Sequence, residues 1–375
     1  MKLIMYGVNR DTVSFDDIHR YGLDESMRLC HLNDISTFDG VVELALVTTN
    51  NRNEYYLYID EQNFKHGDLL RYLSRHTGKP LEEIILETYS KFNDDVTKHL
   101  FHLTSVSNET TESISVLEQA LYESVTYGTI GNVLYELFNA AIHFSLSLYD
   151  KEPLYPLING EVSKAIQNLK SHYPVKKDIN YLIIGNNELI TQLVKYIIRE
   201  SEAYLTFLER NEKSREIITN VNKWLTLTNN STWRNHIQSA DLGQLVYRLS
   251  KADVVIIGPS IKNAWLSDEL LEDMYEMRPT AKKQLILDLS GAQDETVFSD
   301  YQTLSYTQIN NTVENDYSIG KIEVAESFYD EYLTNQTNAF MVKFNRLIEK
   351  KITYAPANDE ASHNVCYVKK ISYKV

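Results

Sequence analysis

From Ile179 onward, apolar runs of strand length recur between stretches with helical spacing, and no other feature limits the fold of this chain as much. The runs are Tyr181 to Ile184, Tyr204 to Leu208, Asp253 to Ile257 and Leu285 to Leu289, with helices predicted from Glu188 and from Glu212. Each run is short and mostly apolar rather than alternating, which suits strands covered on both faces. Short strands separated by covering helices build a parallel, doubly wound sheet, so an α/β class is expected.

The chain has 375 residues, more than one core of about 250–300 residues accommodates. Strands are predicted at Leu3 to Tyr6, Val41 to Val47 and Tyr55 to Ile59, with a helical stretch after Ser14. Further helices are predicted at Gly67 to Thr77, at Pro80 to Ile85 with Pro80 in the first helical position, and at Asp94 to Thr104. This is an α/β or α+β domain. Pro153, Pro156 and Pro174 surround one helix, Gly160 to Leu169, and a proline cluster of this kind marks a domain crossing. Beyond Gln302 the strand signal fades. Ile322, Ala325, Phe328, Tyr329 and Tyr332 recur at three and four, and Phe340, Phe344, Leu347 and Ile348 form a second helical stripe; both read as packing faces. Asn364 to Val375 reads as an edge strand or a loose tail. The expected division is 1–152, 153–300 and 301–375.

Basic side chains number 37 against 52 acidic ones, a net charge of −15, which repels a phosphate backbone and excludes general nucleic-acid binding. A local site for one RNA stays open around Lys343, Arg346, Lys350, Lys351, Lys369, Lys370 and Lys374, against the alternative of a solvated face and tail. Cys30 and Cys366 are too few and too far apart for a disulfide framework or a metal clamp, which fits a reducing cytoplasm. Met1 to Gly7 reads as a first strand, too short for a signal segment, and no apolar run reaches membrane-spanning length. A soluble, cytoplasmic protein with no metal site is expected.

The stretch Thr48 to Glu54 is a polar loop between two apolar strands. Arg52 has the fork for a carboxylate and Glu54 the charge for an ammonium, a pair that suits an amino-acid ligand; the alternative is a loop satisfied by its own contacts. His143, among Phe138, Ile142 and Leu146, reads as a packing histidine. His363 and Cys366 have a spacing open to a metal or haem iron, although an isolated pair in a tail is more often inert. Tyrosine is abundant, and Tyr6, Tyr55, Tyr56, Tyr58 and Tyr122 either line a pocket for a flat ligand or simply pack.

Several landmarks fall in a recognisable order. They are Gly7-Val8-Asn9-Arg10-Asp11-Thr12, the run Leu46 to Tyr55, His99-Leu100-Phe101 with Ser105, Asp253 to Ile256, Leu287 to Leu289, and Ala325-Glu326. Together they resemble the glutamyl-tRNA reductases over residues 1 to about 335. The resemblance implies an N-terminal catalytic-type domain, a Rossmann-like NADP-binding domain and a spinal helix leading into a shortened helical C-terminal region. It implies that Thr49, Asn51, Arg52, Glu54, His99 and Ser105 line a glutamate pocket. It also implies that Gly185, Glu209 and Arg210 serve NADPH, with Glu209 placed for a ribose and Arg210 for an adenosine 2′-phosphate.

Departures from the family pattern cluster at the chemistry. Asn50 stands where the family has the cysteine that takes glutamate as a thioester, and a carboxamide is not a nucleophile near neutral pH. Glu109 and Ser113-Ile114-Ser115-Val116 replace polar pocket residues, and Ser145-Leu146-Ser147-Leu148-Tyr149 replaces a basic stretch. The dinucleotide turn reads Gly185-Asn186-Asn187-Glu188-Leu189-Ile190, keeping only its first glycine. The expectation is a noncatalytic accessory or regulatory paralogue linked to tetrapyrrole synthesis, with NADPH or haem as ligand and glutamyl-tRNA or pathway enzymes as partners. The alternative is an impaired NADPH-dependent reductase releasing glutamate-1-semialdehyde. A homodimer is one expectation, set against a C-terminal part shorter than the family's dimerisation domain.

Overall fold

The computed structural model describes residues 1–105, 114–158, 160–174, 177–209, 212–227, 231–259, 261, 266–278, 282–293, 295–309 and 319–353. The chain divides into two compact units, Met1–Ser145 together with Asp330–Val375, and Leu146–Tyr329.

In the first unit, β1 (Lys2–Asn9), β2 (Val41–Thr48), β3 (Arg52–Ile59) and β4 (Tyr89–Phe92) form a sheet in the order β2-β3-β1-β4. All three pairings are antiparallel. β3 is central and buried along its whole length, so both of its faces carry packing. Tyr55, Leu57 and Ile59 meet Leu32, Ile35, Leu69, Leu73 and Ile84 from helices Glu25–Ser36, His66–Thr77 and Leu81–Glu87. Arg52, Glu54, Tyr56 and Tyr58 share the opposite face, as a period of two requires. There Tyr56 meets Phe138 of helix Asn132–Ser147 edge-on at 5.4 Å, and Tyr58 meets Phe344 at 6.0 Å.

Three local expectations need correction. The helical stretch after Ser14 is two helices, Phe15–Ile18 and Glu25–Ser36, because Ser14 and Asp24 each cap a separate start. Pro80 is the cap of the next helix rather than its first residue: its ψ of 147° is extended, and the helix begins at Leu81. At the C-terminal end the two expected helices are one, Ile319–Thr353. The polar run Thr334 to Asn338 does not break it, since Leu333, Thr337, Phe340 and Phe344 keep one buried stripe through that run.

The second unit contains β5 (Lys177–Ile184), β6 (Glu202–Glu209), β7 (Ile237–Asp241), β8 (Val254–Ile257), β9 (Gln284–Asp288) and β10 (Leu304–Gln308). Their order across the sheet is β10-β9-β8-β5-β6-β7, and every neighbouring pair is parallel. Numbered within the unit this is the 3-2-1-4-5-6 order of the doubly wound dinucleotide fold, with its switch point between β5 and β8. The expected α/β class with a parallel sheet is the one found. The central strands β5, β8 and β9 are deeply buried from Tyr181, Val254 and Gln284 onward, as their apolar runs require.

Candidate functional site

The chemistry of the first unit converges on Glu54, whose side chain is fully buried. Gly7 pairs with Glu54 on one side and with Tyr89 on the other. A Cβ at Gly7 would lie 2.7 Å from Cζ of Tyr89 and 3.0 Å from Cγ of Glu54. The missing side chain therefore lets the tyrosine lie across β1 and donate its hydroxyl to Glu54 Oε1 at 2.6 Å. Arg52 Nη1 reaches the same oxygen at 3.2 Å and His99 Nε2 at 2.9 Å, while Tyr56 donates to Oε2 at 2.6 Å.

A buried carboxylate is tolerated only when paired and hydrogen-bonded, and this one has both. Burial alone raises its pKa, but His99, Arg52 and the Tyr56 hydroxyl outweigh it and bring the group down to about 2. Burial, reinforced by the Glu54 charge, pushes the Tyr56 and Tyr89 hydroxyls well above their ordinary range, so both remain donors. Donation from His99 Nε2 to Glu54 leaves Nδ1 as the acceptor whenever the ring is neutral.

Asn50 stands at the exposed tip of the turn joining β2 to β3. The Thr49 N–H donates to the Arg52 carbonyl at 2.9 Å and the Asn51 N–H to Thr49 Oγ1 at 3.1 Å, so the turn is closed on itself. At its base Thr48 bonds to Asn53, and Asn53 donates to the Tyr21 carbonyl, which ties the turn to the segment following Ile18. Ser105 is buried just beyond the helix that carries His99, and its hydroxyl donates to the His102 carbonyl at 3.0 Å.

Of the residues singled out in the sequence, Arg52, Glu54 and His99 thus share one network, and Thr49, Asn50 and Asn51 form the turn at the end of the same hairpin. Arg52 is 5% exposed and its guanidinium is engaged with Glu54. A ligand ammonium reaches Glu54 only by displacing one of the carboxylate's present partners. Sequence reasoning missed Tyr89 and the role of Gly7. The available signal was a glycine inside an otherwise apolar strand, which marks a close approach.

Of the tyrosines singled out in the sequence, Tyr6, Tyr55, Tyr56 and Tyr58 are buried and pack. Tyr55 bonds to buried His31 at 2.8 Å, and Tyr6 bonds to His66. Tyr122 lies exposed on its helix. His143 is also exposed, contrary to the packing role read for it: Phe138, Ile142 and Leu146 form a buried stripe at intervals of four, and His143 falls one residue off it. Leu146 and Tyr149, in the stretch that replaces a basic segment, are buried, and the Tyr149 hydroxyl donates to Gln192 at 3.0 Å. Among the described residues no group of three His, Cys, Asp or Glu side chains could hold a metal ion, and no helix is long and apolar enough to cross a membrane. Glu109, Ser113, Arg210, His363, Cys366 and the terminal lysines lie outside the described residues.

At the switch point of the second unit, Gly185 ends β5 with a φ of 130°, a conformation that favours glycine. Asn187 then caps helix Glu188–Glu200 by accepting from the Ile190 N–H at 3.1 Å. That cap occupies one of the donors an anion would use, and Glu188 adds a negative charge at the first turn. Ile190 is buried where the dinucleotide turn has its third glycine, and it fits because Gly258, after β8, lacks a side chain: a Cβ there would lie 2.9 Å from Ile190 Cγ1. Glu209 closes β6, where Arg215 Nε donates to its Oε2 at 2.8 Å. Arg215, followed by Ser239, holds this carboxyl below its ordinary pKa.

The sheets and the buried charge network define a two-unit α/β protein with a Rossmann-type second unit. Residues 6–149 match the family model of the glutamyl-tRNAGlu reductase N-terminal domain. Among curated proteins, the glutamyl-tRNA reductases of Staphylococcus aureus strains JH9 and Newman are each 23% identical over 260 residues, covering 68% of this chain and 55% of theirs. The chain thus matches about half the length of those relatives. Among solved structures, a glutamyl-tRNA reductase from Methanopyrus kandleri aligns with a TM-score of 0.48 and 16% identity, over 93% of this chain and 81% of that one. Through residues 6–149 above all, the chain is similar to the glutamyl-tRNA reductases.

Proposed function

We propose that this chain is a glutamyl-tRNA reductase-like protein of tetrapyrrole biosynthesis that has lost the reductase reaction and acts as an accessory or regulatory paralogue. One observation carries the reading: the exposed tip of the β2–β3 turn presents the carboxamide of Asn50 where the family's thioester chemistry needs a thiolate. The only described cysteine, Cys30, is exposed on helix Glu25–Ser36, away from that turn in sequence. Direct hydride attack on the tRNA ester would lack the covalent step, and Asn50 can at most donate a hydrogen bond to a developing oxyanion.

The intact network of Arg52, Glu54, His99, Tyr56 and Tyr89 favours a second reading, an impaired NADPH-dependent reductase that still forms glutamate-1-semialdehyde. In the favoured reading that network preserves the shape of the turn for recognition. The second unit keeps a nucleotide site at the β5–β8 switch point, with Gly185 and Glu209 as its remaining landmarks. The protein acts in the cytoplasm, as a homodimer, with glutamyl-tRNA or tetrapyrrole-pathway enzymes as partners and NADPH or haem as the ligands to test.

Purified protein and an Asn50→Cys variant are incubated with charged glutamyl-tRNA and NADPH, and semialdehyde is measured. No product from the unmodified protein supports the accessory role. Turnover by the unmodified protein establishes the impaired reductase instead. Parallel titrations with NADPH and with haem separate the ligand alternatives, and a lack of saturable binding to both leaves a macromolecular partner.

A further inference from the structure

We propose that the outer side of helix His66–Thr77 carries a binding site for a phosphate monoester attached to a flat ring, with Arg71 and Arg75 as the phosphate clamp and Phe38 as the wall for the ring. The site lies in the first unit and does not depend on the nucleotide reading of the second.

The pattern of the helix puts the two cations together. Leu69 and Leu73 are buried in one core with Tyr55, Leu57 and Ile59. Arg71 and Arg75 each follow by two residues, which turns them to the far side of a helix of about 3.6 residues per turn. Four apart, they are neighbours on that side. Tyr55, Leu57 and Ile59 alternate along β3 with Arg52 and Glu54, so the sheet separates this clamp from the glutamate pocket that the resemblance implies.

Arg71 and Arg75 open on a cleft of about 480 Å³ whose other lining residues are Phe38, Asp68 and Ser74. Sites for small ligands span about 300–1,000 Å³. Arg71 is already held in place: its Nη2 donates to Asp68 Oδ1 at 3.1 Å, and its guanidinium lies against Gly67, where a Cβ would come within 2.9 Å of Nη1. The remaining donors of its fork stay available, and a fixed side chain loses less freedom on binding. Arg75 is exposed and pairs with no carboxylate among the described residues. Two arginines against the single carboxylate of Asp68 make a positive seat on a chain whose net charge is −15.

The Ser74 hydroxyl donates to the Lys79 carbonyl at 2.6 Å, so the arginines supply the donors for an anion. A phosphate monoester offers three terminal oxygens that two forks can share, whereas one fork fills a carboxylate. Phe38 is half-buried and meets Tyr72 edge-on at 5.8 Å, which leaves a flat apolar wall beside the arginines.

The test is calorimetric titration of the full chain with phenyl phosphate, inorganic phosphate and benzoate, repeated on Arg75→Gln and Phe38→Leu variants whose folding is verified by circular dichroism. Phenyl phosphate carries no ribose, so it does not report on the second unit. It should bind saturably, about threefold or more tighter than inorganic phosphate through the ring contact, and about tenfold tighter than benzoate. Arg75→Gln should weaken it about tenfold or more, the loss of a charge-assisted contact. Phe38→Leu should erase its advantage over inorganic phosphate. The proposal is overturned if phenyl phosphate shows no saturable binding, if benzoate binds equally well, or if either folded variant keeps the affinity of the unmodified protein.

Discussion

Replacing Glu54 by glutamine should expose how much the buried charge network contributes to the first unit. The side chain keeps its shape and one acceptor oxygen, but the charge that pairs with the buried Arg52 guanidinium is gone. Removing one partner of a buried pair costs about 3–5 kcal/mol, because the remaining charge stays desolvated. The pKa gives a second route to the magnitude. A fall from 4.5 to about 2 on folding, at roughly 1.4 kcal/mol per unit, is worth about 3 kcal/mol at neutral pH. Because the folded value is the lower one, this stability is complete above the unfolded pKa of 4.5 and is lost as pH falls toward 2. By about pH 3, roughly 2 kcal/mol of it is gone.

The assay is urea unfolding followed by far-ultraviolet circular dichroism at neutral pH and at a series of acidic values, on both proteins. Glu54→Gln should lose several kcal/mol at pH 7, and its deficit relative to the unmodified protein should shrink as the pH drops. A loss below about 1 kcal/mol, the size expected of an exposed pair, with parallel pH profiles for the two proteins, would refute the reasoning.

Two further perturbations address neighbouring parts of the same unit. Gly7→Ala places a methyl group 2.7 Å from Tyr89 Cζ and should destabilise the fold by about 1–3 kcal/mol as the ring is driven off Glu54; a thermal melt matching the unmodified protein would contradict this. Buried His31 has its pKa lowered to about 4 by burial and by the nearby His76. Its contribution to stability is present above 6.5 and is lost as pH falls toward 4, worth about 3 kcal/mol in all. Its imidazole proton resonance should titrate near 4, and a midpoint near 6.5 would remove the effect.

The strands legible in the sequence were those buried on both faces, where short, mostly apolar runs leave no other reading. The three that were missed, β4, β7 and β10, all lie at sheet edges. β7, Ile237–Asp241, buries only Ala240 fully, and β4 buries none of its residues fully, so neither carries a hydrophobic run. Local periodicity also split the long C-terminal helix, because Thr334 to Asn338 reads as a polar break while Thr337 is in fact buried. At the site, Arg52, Glu54 and His99 were visible as chemically able residues. Their engagement with one another was not, because it depends on strand register: Gly7 aligns with Glu54 and with Tyr89 only once three strands are paired. A carboxylate read as open to a ligand is therefore saturated by Arg52 and Tyr56 from its own strand face and by Tyr89 and His99 from distant segments.

The central claim is that the turn bearing Asn50 no longer forms a covalent intermediate. Its most direct test is the intact mass of the protein after mixing with charged glutamyl-tRNA in the absence of reductant. The account predicts an unmodified mass for the native protein over a time in which a cysteine-bearing glutamyl-tRNA reductase acquires a glutamyl group. A glutamyl adduct on the native protein, at Asn50 or elsewhere, would contradict it.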